Sequence, residues 1–187
     1  MRLLAISGSL RADSHNSRLL RIAAEEAPVG VDIDIYDGLA TIPPYDADDD
    51  EGVGPAPVRD LRERIASADG LIFATPEYNS SIPGVLKNAI DWASRPRATT
   101  PLAGKPAAVI GATTGQFGAV WAQAELRKVL GSTGSRVVDA EVSVALADDA
   151  FDADGTLRDE HTLEAIRNLT SAVVAEAEHD RELALAA

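Results

Sequence analysis

Short apolar runs, some continuous and some interrupted by polar residues, alternate along the chain with longer segments in which apolar residues recur at helical spacing. The runs predict strands, and they cover residues 3–6, 31–35, 71–74, 107–110 and 137–144. In the second run Val31, Ile33 and Ile35 alternate with Asp32 and Asp34, so one face of that strand is wet or the strand lies at an edge of the sheet, which is the simpler choice. We therefore expect that strand at an edge of the sheet.

The helical segments are identified by apolar spacing and by the prolines that end or begin them. They cover residues 16–27, 58–68, 83–94, 119–130 and 163–177. Pro28 and Pro96 stop the first and third of these helices. The polar segment 37–55 contains Pro43-Pro44 and an acidic run, and it predicts a loop without regular elements.

Strands that alternate with helices predict an α/β fold with helices on both faces of a parallel sheet. Right-handed crossovers and the edge position of the second strand favour a doubly wound five-stranded sheet in the order 2-1-3-4-5. No repeat or linker divides the chain, so residues 1–187 are expected to form a single domain. Ligands of such sheets bind beyond the carboxyl ends of the strands, here between the first and third strands.

Composition narrows the possible chemistry. The net charge of −13 opposes binding to nucleic acid, and the absence of cysteine excludes thiolate catalysis and iron–sulfur clusters. The acidic run 46–51 lacks the glycine of a calcium loop, so no metal site is expected, and its role stays open. No apolar run is long enough for a membrane helix or a signal-peptide core, so no membrane partner and a cytoplasmic location are expected.

The loop after the first strand contains small hydroxyl residues and runs directly into a helix. Hydroxyls, backbone N–H groups and a helix N-terminus form a phosphate site, to which Arg11 adds a charged contact. The alternative is a capped turn in which Ser14 or Asn16 only caps the helix. Neither the Walker pattern nor G-x-G-x-x-G is present.

The loops after the third and fourth strands reach the same edge. Tyr78 offers an aromatic face and Asn79 an amide between two prolines, which suits a planar ligand. Gly115 and Gly118 permit close approach of the backbone in the other loop. Each loop alone is more often an ordinary connection, but the three together predict a ligand site.

Two stretches, Gly8-Ser9-Leu10-Arg11 and 75–92 with Thr75-Pro76-Glu77-Tyr78-Asn79, resemble the NAD(P)H-dependent FMN reductase family. The resemblance extends from Leu3 to about Leu130 and implies a flavodoxin-like fold with bound FMN. It also implies which residues bind the cofactor. The phosphate is expected at Ser9, Arg11, Ser14 and Asn16, with Ser17 as a further cofactor-binding residue. The ring is expected near Pro76, Glu77, Tyr78, Asn79, Thr114, Gly115 and Gly118.

The resemblance further implies a dimer or tetramer with the helix 83–94 at the subunit interface. Val85, Leu86, Ile90 and Trp92 give that helix more apolar surface than one narrow stripe. Burial of both faces within one subunit is the alternative. His15, the only histidine near the predicted site, is expected to face solvent.

The expected activity is transfer of a hydride from NADPH or NADH to FMN, followed by reduction of a small acceptor such as a quinone, free flavin, azo compound or chromate. The cofactor carries the chemistry, so no side chain is assigned a catalytic role. Arg11, Arg95 and Arg97 are candidates to contact a ribose phosphate of NADPH. The competing hypotheses are an electron-carrier flavodoxin without reductase activity and, on fold alone, a phosphate-ester hydrolase.

Overall fold

A five-stranded parallel sheet forms the centre of the computed structural model, which describes residues 1–52 and 54–186. Its strands, in chain order, are β1 (Arg2–Ser7), β2 (Asp32–Tyr36), β3 (Gly70–Thr75), β4 (Pro106–Ala112) and β5 (Arg136–Val144). Their order, β2-β1-β3-β4-β5, confirms the prediction. Val53, in the predicted loop 37–55, and Ala187, at the end of the predicted domain, lie outside the described residues.

Each predicted helix is found, with ends that differ by a few residues except in the longer last helix. The helices are α1 (His15–Glu25), α2 (Ala56–Ser67), α3 (Gly84–Ala93), α4 (Val120–Ser132), the short α5 (Ala147–Ala150) and α6 (Glu160–Ala186). Two 3₁₀ turns, Leu39–Thr41 and Asp48–Asp50, correct the expectation that 37–55 has no regular element. Such turns are too short to produce an apolar periodicity, which is why the pattern missed them.

The core has two layers because side chains alternate between the two faces of each strand. Leu4, Ile6 and Phe73 pack on the side of α2, α3 and α4. Leu3, Ala5 and Ile72 pack on the side of α1 and α6. The strands β1, β3 and β4 are therefore buried on both faces, as their continuous apolar runs predict.

The wet face of β2 carries an ion-pair cluster. Asp34 accepts hydrogen bonds from Arg2 at 3.2 Å and from Arg64 at 3.0 Å. Only β1 is hydrogen-bonded to β2 in the described sheet. The alternating pattern of this strand thus reflects its edge position, as expected.

Most of the large apolar side chains of α3 are buried inside this chain. Leu86, Ile90 and Trp92 are at most 3 % exposed. The loop before α2 covers the helix, and the Trp92 Nε1–H donates to the Pro43 carbonyl at 2.8 Å. The alternative of burial within one subunit therefore accounts for these side chains.

The longest helix, α6, has 27 residues and lies against β5 and β4. Its six buried side chains all precede Glu178. Across the described residues, none of the helices combines the length and the apolar character that crossing a bilayer requires.

Candidate functional site

The loops that follow β1, β3, β4 and β5 meet at one edge of the sheet because all five strands are parallel. Between β1 and β3 the chain leaves the sheet in opposite directions, toward α1 on one face and α3 on the other. The Gly8 N–H donates to the Ala74 carbonyl at 2.7 Å, which joins the loop after β1 to the end of β3. A Cβ at Gly8 would lie 2.9 Å from Leu86 Cδ2, so only glycine lets α3 approach this closely.

Serine hydroxyls shape the loop after β1. The Ser9 N–H donates to Ser7 Oγ at 3.3 Å, and Ser9 Oγ accepts from the Arg11 N–H at 3.3 Å. From α1, the Ser17 hydroxyl donates to Ser7 Oγ at 2.9 Å. These bonds fold the loop back over the first turn of α1.

The N-terminus of α1 offers donors that no protein group uses. Ser14 caps the helix by accepting from the Ser17 N–H at 3.2 Å. Within the described residues, the backbone N–H groups of His15 and Asn16 have no acceptor, and the exposed Arg11 has no carboxylate within 4.0 Å. Two free N–H groups, hydroxyls and one guanidinium are a donor set that fits a phosphate group, so the residues present fit FMN.

Asn16 has a structural role that the sequence did not reveal. Its side chain is 3 % exposed; its Nδ2 donates to the Ala112 carbonyl and its Oδ1 accepts from the Ala112 N–H, both at 2.9 Å. The amide therefore fastens α1 to the end of β4. Any contact between Asn16 and a phosphate is left to its backbone N–H.

The loop after β3 is a tight two-residue turn. Tyr78 and Ser81 exchange backbone hydrogen bonds of 2.9 and 3.1 Å around Asn79 and Ser80, both of which have positive φ. Pro76 is buried, whereas Tyr78 is 49 % exposed and Asn79 is also exposed. The turn thus holds an aromatic ring and an amide outward at the sheet edge.

Glu77 uses its side chain to cap a helix. Its Oε2 accepts from the backbone N–H groups of Trp121 and Ala122, at 3.0 and 3.1 Å. The residue at the N-cap position of α4 is Ala119, which has no side chain able to cap. Glu77 therefore replaces the missing cap and joins the loop after β3 to α4.

The loop after β4 is held against β5. Gly118 has φ of 59°, and a Cβ there would lie 2.9 Å from the Ser143 backbone, so this position requires glycine. Gln123 donates to the Gly118 carbonyl at 3.0 Å and to Ser143 Oγ at 2.8 Å. Thr114 and Gly115 are exposed at the same edge. Gln123 supports this loop, and no local sequence pattern indicates that role.

His15 packs against the segment that follows β5. Its ring stacks on Phe151 with centroids 5.6 Å apart, and its Nε2 lies 3.0 Å from Asp148 Oδ1. The side chain is only 17 % exposed, so the expectation that it faces solvent is wrong. A sequence separation of 133 residues explains why the contact was not predicted.

Arg95 and Arg97 lie far from these loops within this chain. They follow the C-terminus of α3 and line a groove with Ala103 and Gly134, which precede β4 and β5. That groove is at the amino ends of the strands, opposite the predicted site. Arg11 is the one of the three candidate arginines that the fold brings to the site.

Comparison with known proteins identifies one family, whose members match most of the chain. The model of the family described as NADPH-dependent FMN reductase matches residues 1–149. An NAD(P)H-dependent FMN reductase from Pseudomonas aeruginosa is 45 % identical over 174 residues, 92 % of this chain and 93 % of the relative. A 2-hydroxy-1,4-benzoquinone reductase from Burkholderia is 39 % identical, over 87 % of this chain and 88 % of the relative.

A solved structure has the same architecture. The flavoenzyme NAD(P)H:(acceptor) oxidoreductase of Paracoccus denitrificans superimposes with a TM-score of 0.81 at 35 % identity, covering 95 % of this chain and 97 % of that one. Sequence identity, the fold and the hydrogen-bond donors at the N-terminus of α1 all point to the same family. The chain belongs to the NADPH-dependent FMN reductase family.

Proposed function

We propose that the loops after β1, β3 and β4 bind FMN and that the chain uses it to reduce a small quinone-like acceptor. Dependence on NAD(P)H and FMN follows from the family. The cofactor is placed by one observation: hydrogen-bond donors at the N-terminus of α1 have no acceptor in the protein. These donors lie where the strand order reverses, between β1 and β3.

The phosphate is assigned to the first loop and the first turn of α1. The guanidinium of Arg11 supplies charge, and the hydroxyls of Ser9 and Ser14 supply further hydrogen bonds. Ser17 supports the same site from α1, because its hydroxyl donates to Ser7 Oγ at the end of β1. The His15 and Asn16 N–H groups complete the anion site, where the helix dipole also favours negative charge.

The ring is assigned to the two loops beyond β3 and β4. Tyr78 and Asn79 are exposed on one side, and Thr114 and Gly115 are exposed on the other. Pro76 and Gly118 are buried behind them, one in each loop. The Glu77 side chain is occupied by α4, so Glu77 acts on the cofactor only through its backbone. Backbone N–H groups in this loop are fixed donors that can stabilise negative charge on a reduced ring.

FMN, when bound, accepts a hydride from NAD(P)H and delivers two electrons to an acceptor. The protein's part is to hold the ring, exclude water from one side and leave the other open. The hydride step itself requires no protein acid or base at the reacting atoms. This is consistent with the absence of any assigned catalytic side chain.

A quinone acceptor is favoured by the relatives. The Burkholderia relative is named a 2-hydroxy-1,4-benzoquinone reductase, and an Escherichia coli relative that is 42 % identical over 131 residues is named a quinone reductase. Steady consumption of NAD(P)H with a quinone by the purified chain separates this function from that of an electron carrier, which needs a partner reductase.

We also propose that residues 1–187 form one FMN-binding unit, that it acts in the cytoplasm where NAD(P)H is supplied, and that it forms a dimer or tetramer. Val85 is exposed on the helix 83–94, and Val120 and Trp121 are exposed on α4. The three side chains are 37 to 48 % exposed, which supports a shared interface. Sedimentation velocity of the FMN-loaded chain measures this assembly, and a monomer would contradict it.

The test of the proposed function begins with an absorbance titration of the purified chain with FMN, followed by anaerobic NADPH. We expect a bound-flavin spectrum that bleaches. Arg11→Ala should raise the Kd for FMN about 10- to 150-fold, which corresponds to the loss of roughly 1.5–3 kcal/mol for a charged hydrogen bond.

Arg21→Ala is the matched control, because Arg21 is exposed on α1 and makes the same change in charge away from the first turn. Its Kd should stay within twofold of the parent. Equal Kd values for the Arg11 and Arg21 variants would remove the phosphate assignment.

A further inference from the structure

Leu146 combines two unfavourable properties at the edge of the predicted site. It has φ and ψ of 47°, a left-handed conformation that is uncommon and strained for a leucine. Its apolar side chain is also 50 % exposed. Both the strained backbone and the exposed apolar side chain are unfavourable in themselves for the folded chain.

The backbone around Leu146 is fastened to the loop after β4. The Leu146 N–H donates to the Gly115 carbonyl at 2.9 Å, and the Ala147 N–H donates to the Thr113 carbonyl at 3.0 Å. Before Leu146, the Val144 carbonyl accepts from the Thr113 N–H at 3.0 Å. Three bonds therefore hold Leu146 beside Gly115, which is assigned to the flavin ring.

The other end of this segment is attached to α1. Asp148 contacts His15 at 3.0 Å, and Phe151 stacks on the same ring. The segment 145–151 is thus fixed both to the ring loop and to the first turn of the helix assigned to the phosphate. The exposed leucine is held in place by contacts on both sides.

We propose that Leu146 is a specificity-determining residue that contacts the ring of an apolar electron acceptor. The inference rests on the proposed function, because the acceptor must reach the flavin at this edge. A fixed apolar side chain favours acceptors that bury carbon surface against it. It adds no binding free energy for a small hydrophilic acceptor such as ferricyanide.

The experiment compares kcat/KM for menadione with kcat/KM for ferricyanide, at saturating NADPH, in the FMN-loaded enzyme. Leu146→Asn keeps a residue that tolerates the left-handed conformation and removes the apolar surface. We expect the menadione-to-ferricyanide ratio to fall about fivefold, as loss of about half of a leucine's burial implies. Leu146→Met should restore most of the ratio.

Leu183→Asn is the matched control. Leu183 is 57 % exposed near the end of α6, away from the site loops, so the same substitution should leave both acceptors' values unchanged. An unchanged ratio in Leu146→Asn overturns the inference, even where both rates fall together. A parent enzyme that oxidises NADPH with neither acceptor overturns the proposed function, and the inference with it.

Discussion

Glu77 lies in a loop assigned to the flavin, but its side chain contacts the start of α4. The carboxylate holds two backbone N–H groups of that helix, 44 residues further along the chain. A negative charge at a helix N-terminus also interacts favourably with the helix dipole. The side chain therefore stabilises the site by fixing α4 rather than by touching a ligand.

Replacing this cap should destabilise the apo-protein. We expect Glu77→Ala to lower the free energy of unfolding by about 1 kcal/mol, which shifts Tm down by roughly 2–4 °C for a chain of this size. Glu77→Gln keeps an acceptor oxygen and should lose less. Thermal unfolding followed by circular dichroism measures the shift, with Glu63→Ala, an exposed carboxylate on α2, as the control. Equal Tm values for Glu77→Ala and Glu63→Ala would rule out the cap.

Asn16 should be more costly to replace because it is buried. Asn16→Ala leaves the N–H and the carbonyl of Ala112 without partners, and we expect a loss of about 2–4 kcal/mol. Urea unfolding of the apo-protein measures it. Asn168→Ala, on the exposed side of α6, should stay within about 0.5 kcal/mol of the parent, and a similar value for Asn16→Ala would contradict the role described.

For single residues, the sequence predicts contacts between near neighbours in the chain but not hydrogen-bond partners that are far away in it. Ser14 as a helix cap follows from its position directly before α1, and the structure confirms that cap. The partners of Glu77, Asn16 and His15 lie 44, 96 and 133 residues away. No spacing rule connects residues so far apart, so these roles required the fold.

Among the elements, β5 departs from a regular strand. Its pairing with β4 shifts between Ala107 and Val109, where the partner residues change from Val137 to Glu141. Arg127 on α4 lies across this bulge; its guanidinium donates to the Val138 carbonyl at 2.9 Å and to the Ala140 carbonyl. It thereby satisfies carbonyls that the regular ladder would have used.

We expect Arg127→Ala to destabilise the chain by about 2–3 kcal/mol, because two charge-assisted hydrogen bonds are lost at once. Arg127→Lys should recover part of this, since an ammonium reaches fewer acceptors in a fixed geometry. Chemical denaturation gives the values. Lys128→Ala, the exposed neighbour, serves for comparison, and a cost no greater than that of Lys128→Ala would show that the bulge needs no support.

The spacing of apolar residues predicted which segments form strands and which form helices. It did not predict what α3 packs against. Its apolar excess left open whether a partner subunit or this chain covers the helix, and Asn88 and Trp92 both donate to the Pro43 carbonyl in the segment that covers one side of it. Hydrophobic periodicity carries no information about such a segment. The apolar pattern of a helix therefore predicts that its surface is buried, but not which part of the protein buries it.

For the whole molecule, the strand order could be predicted because the handedness of crossovers leaves few arrangements. The wet face of β2 placed that strand at an edge, and the order of the other strands follows from the helices between them. The confirmed order then locates the site edge without any side-chain detail.

Binding of FMN should stabilise the entire fold, since the site is built from loops that join both layers. At a free concentration of 100 times Kd the gain is about 2.7 kcal/mol, and we expect Tm to rise by roughly 5–10 °C. Riboflavin, which lacks the phosphate, should give a much smaller rise at the same concentration. Differential scanning calorimetry makes the comparison, and equal shifts would exclude the anion site at α1.

The two tryptophans occupy opposite environments, and this gives the protein two optical reporters. Trp92 is fully buried with its indole N–H hydrogen-bonded, whereas Trp121 is 48 % exposed on the helix that Glu77 caps. Trp92 should therefore emit at short wavelength, be shielded from iodide in the folded protein, and shift to longer wavelength when the core opens. Trp121 should emit at longer wavelength, be quenched by iodide in the apo-protein, and transfer its excitation to the flavin once the site is filled. Fluorescence alone can then follow cofactor loading and unfolding as separate events.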